Sequence, residues 1–85
     1  MKIEVFGPGC AKCQRSLEVA RAFLASTGVP GEVLKHDDLA TMAERGVLRT
    51  PTTMVDGELL VEGRVLREAD LAGWLAAHGP GGASP

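Results

Sequence analysis

Two cysteines, Cys10 and Cys13, stand three residues apart, and the 85-residue chain contains no others. They lie where a predicted strand, residues 2–6, passes into a predicted helix. A thiol at a helix N-terminus faces the positive end of the helix dipole and unpaired backbone N–H groups, and both favour its thiolate. A second thiol one turn further along is close enough to form a disulfide with the first. This context makes the Cys-x-x-Cys typical of a redox site.

The phase of this predicted helix distinguishes the two thiols. Cys13 begins an apolar stripe that continues through Leu17, Ala20 and Leu24,. We therefore expect Cys13 to face the core and Cys10 to be exposed at the N-cap. An exposed thiol can attack a partner, and its buried neighbour can then resolve the mixed disulfide. A purely structural disulfide is disfavoured, because so short a loop removes little entropy from the unfolded chain.

Composition places the chain among ordinary soluble globular proteins. Its 85 residues are 45% apolar and 24% charged, which suits one domain with a modest core,. A net charge of −2 with scattered lysines and arginines predicts neither nucleic-acid nor membrane binding,. No apolar run is long enough to span a bilayer, and no signal-peptide pattern follows Met1, so we expect a cytoplasmic location. In that compartment a Cys-x-x-Cys is more often catalytic than structural.

Periodicity and breaker residues predict the order β-α-β-α-β-β-α. The first helix should run from Cys10 or Ala11 to about residue 27, because Gly28 is a natural C-terminal residue,. Residues 31–36 form a predicted strand, and Asp38 caps a second helix that Gly46 ends,. Strands 52–55 and 58–61 flank a hairpin turn, and the last helix covers about 67–78,.

The predicted fold class is α/β with a four-stranded mixed sheet. A right-handed crossover makes the first two strands parallel, and the hairpin adds an antiparallel pair. Helices one and three should cover one face of the sheet and helix two the other. Residues 1–78 form the predicted domain, and the Gly- and Pro-rich residues 79–85 a disordered tail,.

Proline 51 follows Thr50 at the start of a strand that the hairpin places centrally. A central strand tolerates proline poorly unless it occupies the first position or a turn. A cis bond between Thr50 and Pro51 would leave the neighbouring backbone edge free to pair with an extended substrate. An ordinary trans proline at a strand start is the common alternative.

Several motifs together resemble one family. They are Gly-x-Gly-Cys-x-x-Cys after the first strand, Thr-Pro before the hairpin, and Val-Asp-Gly followed by Val-x-Gly-Arg. Over roughly residues 1–78 the chain resembles the short thioredoxin-fold proteins called small redox-active disulfide proteins, which are glutaredoxin-sized relatives of thioredoxin. The resemblance implies a thioredoxin-like fold and disulfide reduction supplied by a reductase. It also implies Cys10 as attacking thiol, Cys13 as resolving thiol and Pro51 as the cis-proline opposite them.

The chain departs from larger relatives at informative positions. Ala11 and Lys12 separate the cysteines, where thioredoxins have Gly-Pro and many glutaredoxins Pro-Tyr. Pro-Gly precedes Cys10, where thioredoxins have tryptophan. The Gly-Gly-Asp signature that holds glutathione in glutaredoxins is absent, since residues 61–64 are Val-Glu-Gly-Arg.

Two charged residues are candidate auxiliaries of the thiols. Glu4 lies six residues before Cys10, where thioredoxins place a buried carboxylate under the resolving thiol. It could relay a proton to or from Cys13 with a pKa raised by burial, or it could be an exposed strand residue. Lys12 could favour the Cys10 thiolate as a nearby cation, or it could be merely solvated.

The predicted function is dithiol–disulfide exchange between a Cys10–Cys13 disulfide and protein disulfides, with Thr50 and Pro51 contacting the substrate. We expect no cofactor, no metal, a monomer and a thioredoxin-reductase-like electron donor. One alternative is a soft-metal chaperone that binds Cu(I) or Zn²⁺ through both thiolates. The helix between the second strand and the hairpin disfavours it. Another alternative is a binding module that uses the same disulfide as a redox sensor.

Overall fold

A computed structural model of the protein describes residues 1–78, so the predicted tail, residues 79–85, lies outside the described part. The elements follow the predicted order, and the α/β fold class is confirmed. Their bounds are β1 Lys2–Phe6, α1 Ala11–Thr27, β2 Glu32–His36, α2 Leu39–Glu44, β3 Thr52–Val55, β4 Glu58–Glu62 and α3 Glu68–His78. Strand β2 starts one residue later than predicted, and β4 ends one residue later.

The four strands form a mixed sheet in the order β2-β1-β3-β4. Strand β1 pairs in parallel with β2 and antiparallel with β3, and β3 pairs antiparallel with β4. A register shift between Thr53 and Met54 interrupts the β3–β4 ladder. Strand β1 ends before the loop that leads to the cysteines, and β3 begins directly after Pro51. Phe6 pairs with Thr52, so both motifs lie at the same end of the sheet.

Two apolar clusters cover the two faces of the sheet. Side chains from α1 and α3 pack against one face; the cluster's buried members are Ile3, Val5, Leu17, Ala20, Phe23, Val55, Val61, Leu66, Leu71 and Trp74. The other face carries Phe6, Met42 and Met54, with Val47 packed against them. Because both faces are covered, the alternating side chains of β1 are buried on either side of the sheet,.

Local sequence sets the helix ends. At the end of α1, Gly28 has a left-handed φ of 72°, and its N–H donates to the carbonyl of Leu24 at 3.0 Å,. At the start of α2, the Asp38 carboxylate accepts from the N–H groups of Ala40 and Thr41 at 3.2 and 3.0 Å,.

Within residues 1–78, no helix has the length and apolar character that crossing a membrane requires.

Helix α2 is short and lightly packed. Met42 is its buried residue, whereas Leu39, three positions earlier in the same helix, leaves 80% of its surface exposed. Six residues make fewer than two helical turns, so α2 presents too narrow a stripe to bury both side chains,.

Candidate active site

The two cysteines lie at the start of α1 in unequal environments. Cys10 is the N-cap, with extended backbone angles and no capping hydrogen bond from its own side chain. Its carbonyl accepts the first helical hydrogen bond, from the N–H of Gln14 at 3.0 Å. Cys10 is exposed, whereas Cys13 is 3% exposed and faces the sheet. The predicted helix phase therefore separates an accessible thiol from a buried one.

The sulfur atoms of Cys10 and Cys13 are 3.1 Å apart, and both thiols are free. The hydrogen bond with the Cys13 thiol is the main cause that lowers the pKa of Cys10, and the backbone N–H groups of Cys13, Lys12 and Cys10 add to it. Burial raises the pKa of Cys13, and its contact with Cys10 raises it further. The exposed sulfur is therefore the one that ionises first.

Lys12 is exposed, and it reaches the site through its backbone. Its backbone N–H group contributes to the lowered pKa of Cys10. The amide position is fixed by the helix start, whereas an exposed lysine side chain is mobile and well hydrated. The groups that lower the pKa of Cys10 thus include the Cys13 thiol and backbone amides.

The Thr50–Pro51 segment lies beside the thiol pair, and the peptide bond between the two residues is cis. Pro51 is fully buried, and its carbonyl accepts from the N–H of Gly63 at 2.9 Å. Thr50 is exposed, and its Cβ lies 3.6 Å from the point where a β-carbon of residue 7 would stand. The Cys13 sulfur lies 2.1 Å from that same point, so Thr50 and Cys13 border one small space.

Glu4 is 2% exposed, and it takes part in an ionic network that the sequence did not predict. Arg45 Nη1 donates to Oε2 and Nη2 to Oε1, each at 2.8 Å. His36 Nε2 lies 2.9 Å from Oε2, and its ring stacks on Phe6. Arg45 is the C-cap of α2, so this network ties that helix to the middle of β1.

The expectation of a raised pKa at Glu4 is wrong. The hydrogen bonds from Arg45, with a smaller contribution from His36, lower the pKa of Glu4 to about 2 against the opposing effect of burial. The carboxylate points toward α2, whereas Cys13 belongs to α1 and the neighbouring Val5 packs in the α1–α3 cluster. An ionised carboxylate held in this way has no proton to pass to Cys13 near neutral pH.

Ser16 is a second residue whose contact the sequence did not reveal. It is fully buried in α1, and its Oγ accepts from the N–H of Leu66 at 3.0 Å. This bond joins the helix that carries the thiols to the segment between β4 and α3.

Among residues 1–78, no group of three or more His, Cys, Asp or Glu side chains could hold a metal ion.

Taken with the thioredoxin-type arrangement of strands and helices, this asymmetric thiol pair defines a dithiol protein of the thiol–disulfide exchange class. A family model described as the thioredoxin domain matches residues 1–76. The chain belongs to this thioredoxin family, as the sequence motifs predicted, and it is a thiol–disulfide oxidoreductase.

Comparison with individual relatives leads to the same family assignment. The chain is 35% identical to a thioredoxin of Methanothermobacter thermautotrophicus over 71 residues, which are 84% of this chain and 92% of the relative. It is 32% identical to a thioredoxin of Methanocaldococcus jannaschii over 63 residues, 74% of this chain and 72% of the relative. The structure of thioredoxin 1 from Thermosipho africanus TCF52B is similar in fold, with a TM-score of 0.56 at 19% identity, covering 91% and 97% of the two chains.

Proposed function

We propose that the protein reduces protein disulfides by a two-step dithiol mechanism in which Cys10 attacks and Cys13 resolves. The observation that carries the proposal is the 3.1 Å contact between an exposed sulfur and a buried one at the N-terminus of α1. The lowered pKa of Cys10 and the raised pKa of Cys13 support this division of roles,.

In the first step the Cys10 thiolate attacks one sulfur of the client disulfide. A Cys10–client disulfide forms, and the other client sulfur leaves as a thiolate that takes a proton from solvent. Cys13 then loses its proton and attacks the Cys10 sulfur, which releases the second client thiolate. The client disulfide is reduced, and two protein thiols are oxidised to a Cys10–Cys13 disulfide. A thioredoxin-reductase-like donor must return two electrons and two protons.

Thr50 and Pro51 are the proposed docking residues for the client. Thr50 is exposed next to the thiol pair. Pro51 is held in place by the hydrogen bond that its carbonyl accepts from the N–H of Gly63. A client segment in extended conformation could lie along this edge with its disulfide above Cys10. Lys12 is proposed to assist through its backbone N–H group, which helps to lower the pKa of Cys10.

The proposed setting follows from the chemistry. A protein that reduces disulfides repeatedly needs a compartment that supplies electrons, so we propose that it acts in the cytoplasm as a monomer. Protein disulfides are the proposed substrates, and neither nucleic acid nor membrane is a proposed partner.

Reduction of insulin in the presence of dithiothreitol tests the proposal. We expect turnover by the wild type and no reduction above the dithiothreitol background by Cys10→Ser. Incubated with insulin in the absence of dithiothreitol, pre-reduced Cys13→Ser should accumulate mixed disulfides, because that variant keeps the attacking thiol and loses the resolving one. Lys12→Gln serves as a matched control that leaves both sulfurs in place. A reduced wild type without reductase activity that retains stoichiometric copper or zinc against a chelator would contradict the proposal.

A further inference from the structure

Gly7 directly follows β1, and it is buried at the base of the loop that leads to Cys10. Its N–H donates to the carbonyl of His36 at 2.9 Å, so the backbone here continues the β1–β2 ladder. Within residues 1–78, five other glycines have positive φ, Gly9 among them at 84°, but Gly7 does not. Backbone conformation therefore gives no reason for glycine at position 7.

The lack of room for a side chain gives the reason for glycine at position 7. A β-carbon built on Gly7 would stand 2.1 Å from the sulfur of Cys13 and 3.3 Å from its Cβ. Non-bonded atoms cannot approach as closely as 2.1 Å, so the Cys13 sulfur occupies the position that any side chain of residue 7 would need. The Cβ of Thr50, 3.6 Å from that position, borders it from the other motif of the site.

We propose that Gly7 is a positioning residue for the exchange reaction, and that its missing side chain seats the Cys13 sulfur against β1 within reach of Cys10. This placement of the Cys13 sulfur against Gly7, called the seat below, is a geometric property of the folded protein. Its kinetic consequence, a fast second step of exchange, rests on the proposed function.

The side chain of Cys13 has little freedom to adapt to a larger residue 7. Its sulfur moves by rotation about a single bond, and one of the three staggered positions is rare in a helix. Rotation away from Gly7 would also take the sulfur out of its 3.1 Å contact with Cys10. A methyl group at position 7 should therefore separate the two sulfurs and leave Cys10 exposed as before.

Separation of the sulfurs affects the two chemical steps unequally. Attack by Cys10 on an external disulfide needs only its exposed sulfur. Resolution needs the Cys13 thiolate in line with the Cys10–client bond, so that the client thiolate leaves as the Cys10–Cys13 bond forms. Gly7→Ala should thus resemble Cys13→Ser in part, because it keeps the capture step and slows the release step.

Ellman's reagent, an aromatic disulfide, separates these steps without any client protein. One equivalent of thionitrobenzoate is released when Cys10 attacks, and the second when Cys13 resolves the mixed disulfide. For Gly7→Ala we expect the first release to stay within about threefold of wild type and the second to slow at least about tenfold, since displacement of about 1 Å can cost a hundredfold in rate. Gly73→Ala, where nothing lies within 4 Å of the added methyl, should leave both rates unchanged.

A double-mutant cycle tests the seat independently of any reaction. Gly7→Ala is made in the wild type and in Cys13→Ala, and urea unfolding is followed in each. The substitution should reduce the folding equilibrium constant at least about tenfold more when the sulfur is present, because the clash is then with the sulfur.

Each result bears on a separate statement. Equal losses in the two backgrounds, or an unchanged second release, would overturn the role of Gly7. Failure of the wild type to reduce insulin, with the Ellman and unfolding results as expected, would overturn the proposed function and leave the seat intact.

Discussion

The guanidinium of Arg45 and the carboxylate of Glu4 form a bidentate ion pair, with both N–O distances at 2.8 Å. The Glu4 side chain is 3% exposed and that of Arg45 32%, so the pair joins the buried face of β1 to the end of α2. Helix α2 has Met42 as its buried residue, and this ion pair is its main polar anchor to the sheet.

Loss of Arg45 should destabilise the fold. Arg45→Ala leaves the buried Glu4 carboxylate without its main partner, and removal of one member of a buried pair costs about 3–5 kcal/mol,. Urea unfolding followed by the fluorescence of Trp74, the chain's single tryptophan, measures the change. Arg64→Ala, which breaks the more exposed pair with Asp70, should cost about 1 kcal/mol or less,. The double variant Glu4→Leu/Arg45→Met should recover most of the loss. Similar losses for Arg45→Ala and Arg64→Ala would refute this account.

Acid should weaken the fold in a defined range. The pKa of Glu4 falls from 4.5 to about 2 on folding, so its ionised form contributes stability that is present above pH 4.5 and is lost as the pH falls toward 2. Linkage gives about 3 kcal/mol for this group alone. The lowered pKa values of Asp38 and Asp70 act in the same direction. The free energy of unfolding, measured from pH 6 to pH 2, should fall less steeply in Glu4→Leu/Arg45→Met. Parallel profiles for the two proteins would exclude Glu4 as the source.

Alkylation should distinguish the thiols. Cys10 should react with iodoacetamide first, and the midpoint of its pH profile should lie below that of a free cysteine, because the Cys13 thiol and backbone amides stabilise its thiolate,. Cys13→Ala should move the midpoint upward, since the main stabilising hydrogen bond is lost. Lys12→Gln should move it less, because the residue acts through its N–H. Mass spectrometry of the labelled peptides assigns the site, and faster labelling of Cys13 would show that the two environments are reversed.

Removal of the Ser16 hydroxyl should lower the stability of the fold. Ser16→Ala leaves the buried N–H of Leu66 without its acceptor, and an unsatisfied buried group costs about 1–3 kcal/mol,. The control is Ser26→Ala, whose exposed hydroxyl donates to the Phe23 carbonyl and whose loss should stay within about 0.5 kcal/mol,. Thermal unfolding compares the two, and an equal effect at both positions would contradict the special role of Ser16.

Local signals were sufficient to predict the elements and the unequal thiols. The apolar stripe that starts at Cys13 fixes which sulfur is buried, because helix phase depends only on nearby residues,. Gly28 and Asp38 end and begin helices through backbone geometry and capping that are equally local. The hairpin turn at residues 56–57 likewise determines which strands pair.

Contacts between distant residues were not predictable. Arg45 is 41 positions from Glu4, and an arginine at the end of a short helix has the sequence context of an ordinary solvated residue. Burial alone raises the pKa of a carboxyl group, so the sign of the Glu4 shift depends on a partner that periodicity cannot identify. Gly7 was hidden for another reason: a Gly-Pro-Gly sequence is typical of a turn, and the contact with the Cys13 sulfur exists only in the folded chain,.

The uncapped start of α1 acts on both the speed and the equilibrium of exchange. With no capping side chain at Cys10, the backbone amides of the first turn are left to stabilise its thiolate. A larger thiolate population speeds attack on a disulfide, but the same interaction stabilises the reduced protein and so raises the reduction potential of the couple. Each amide that makes Cys10 a readier nucleophile therefore makes the dithiol a weaker electron donor. The helix N-terminus thus sets a compromise between how fast this protein reduces a disulfide and how completely.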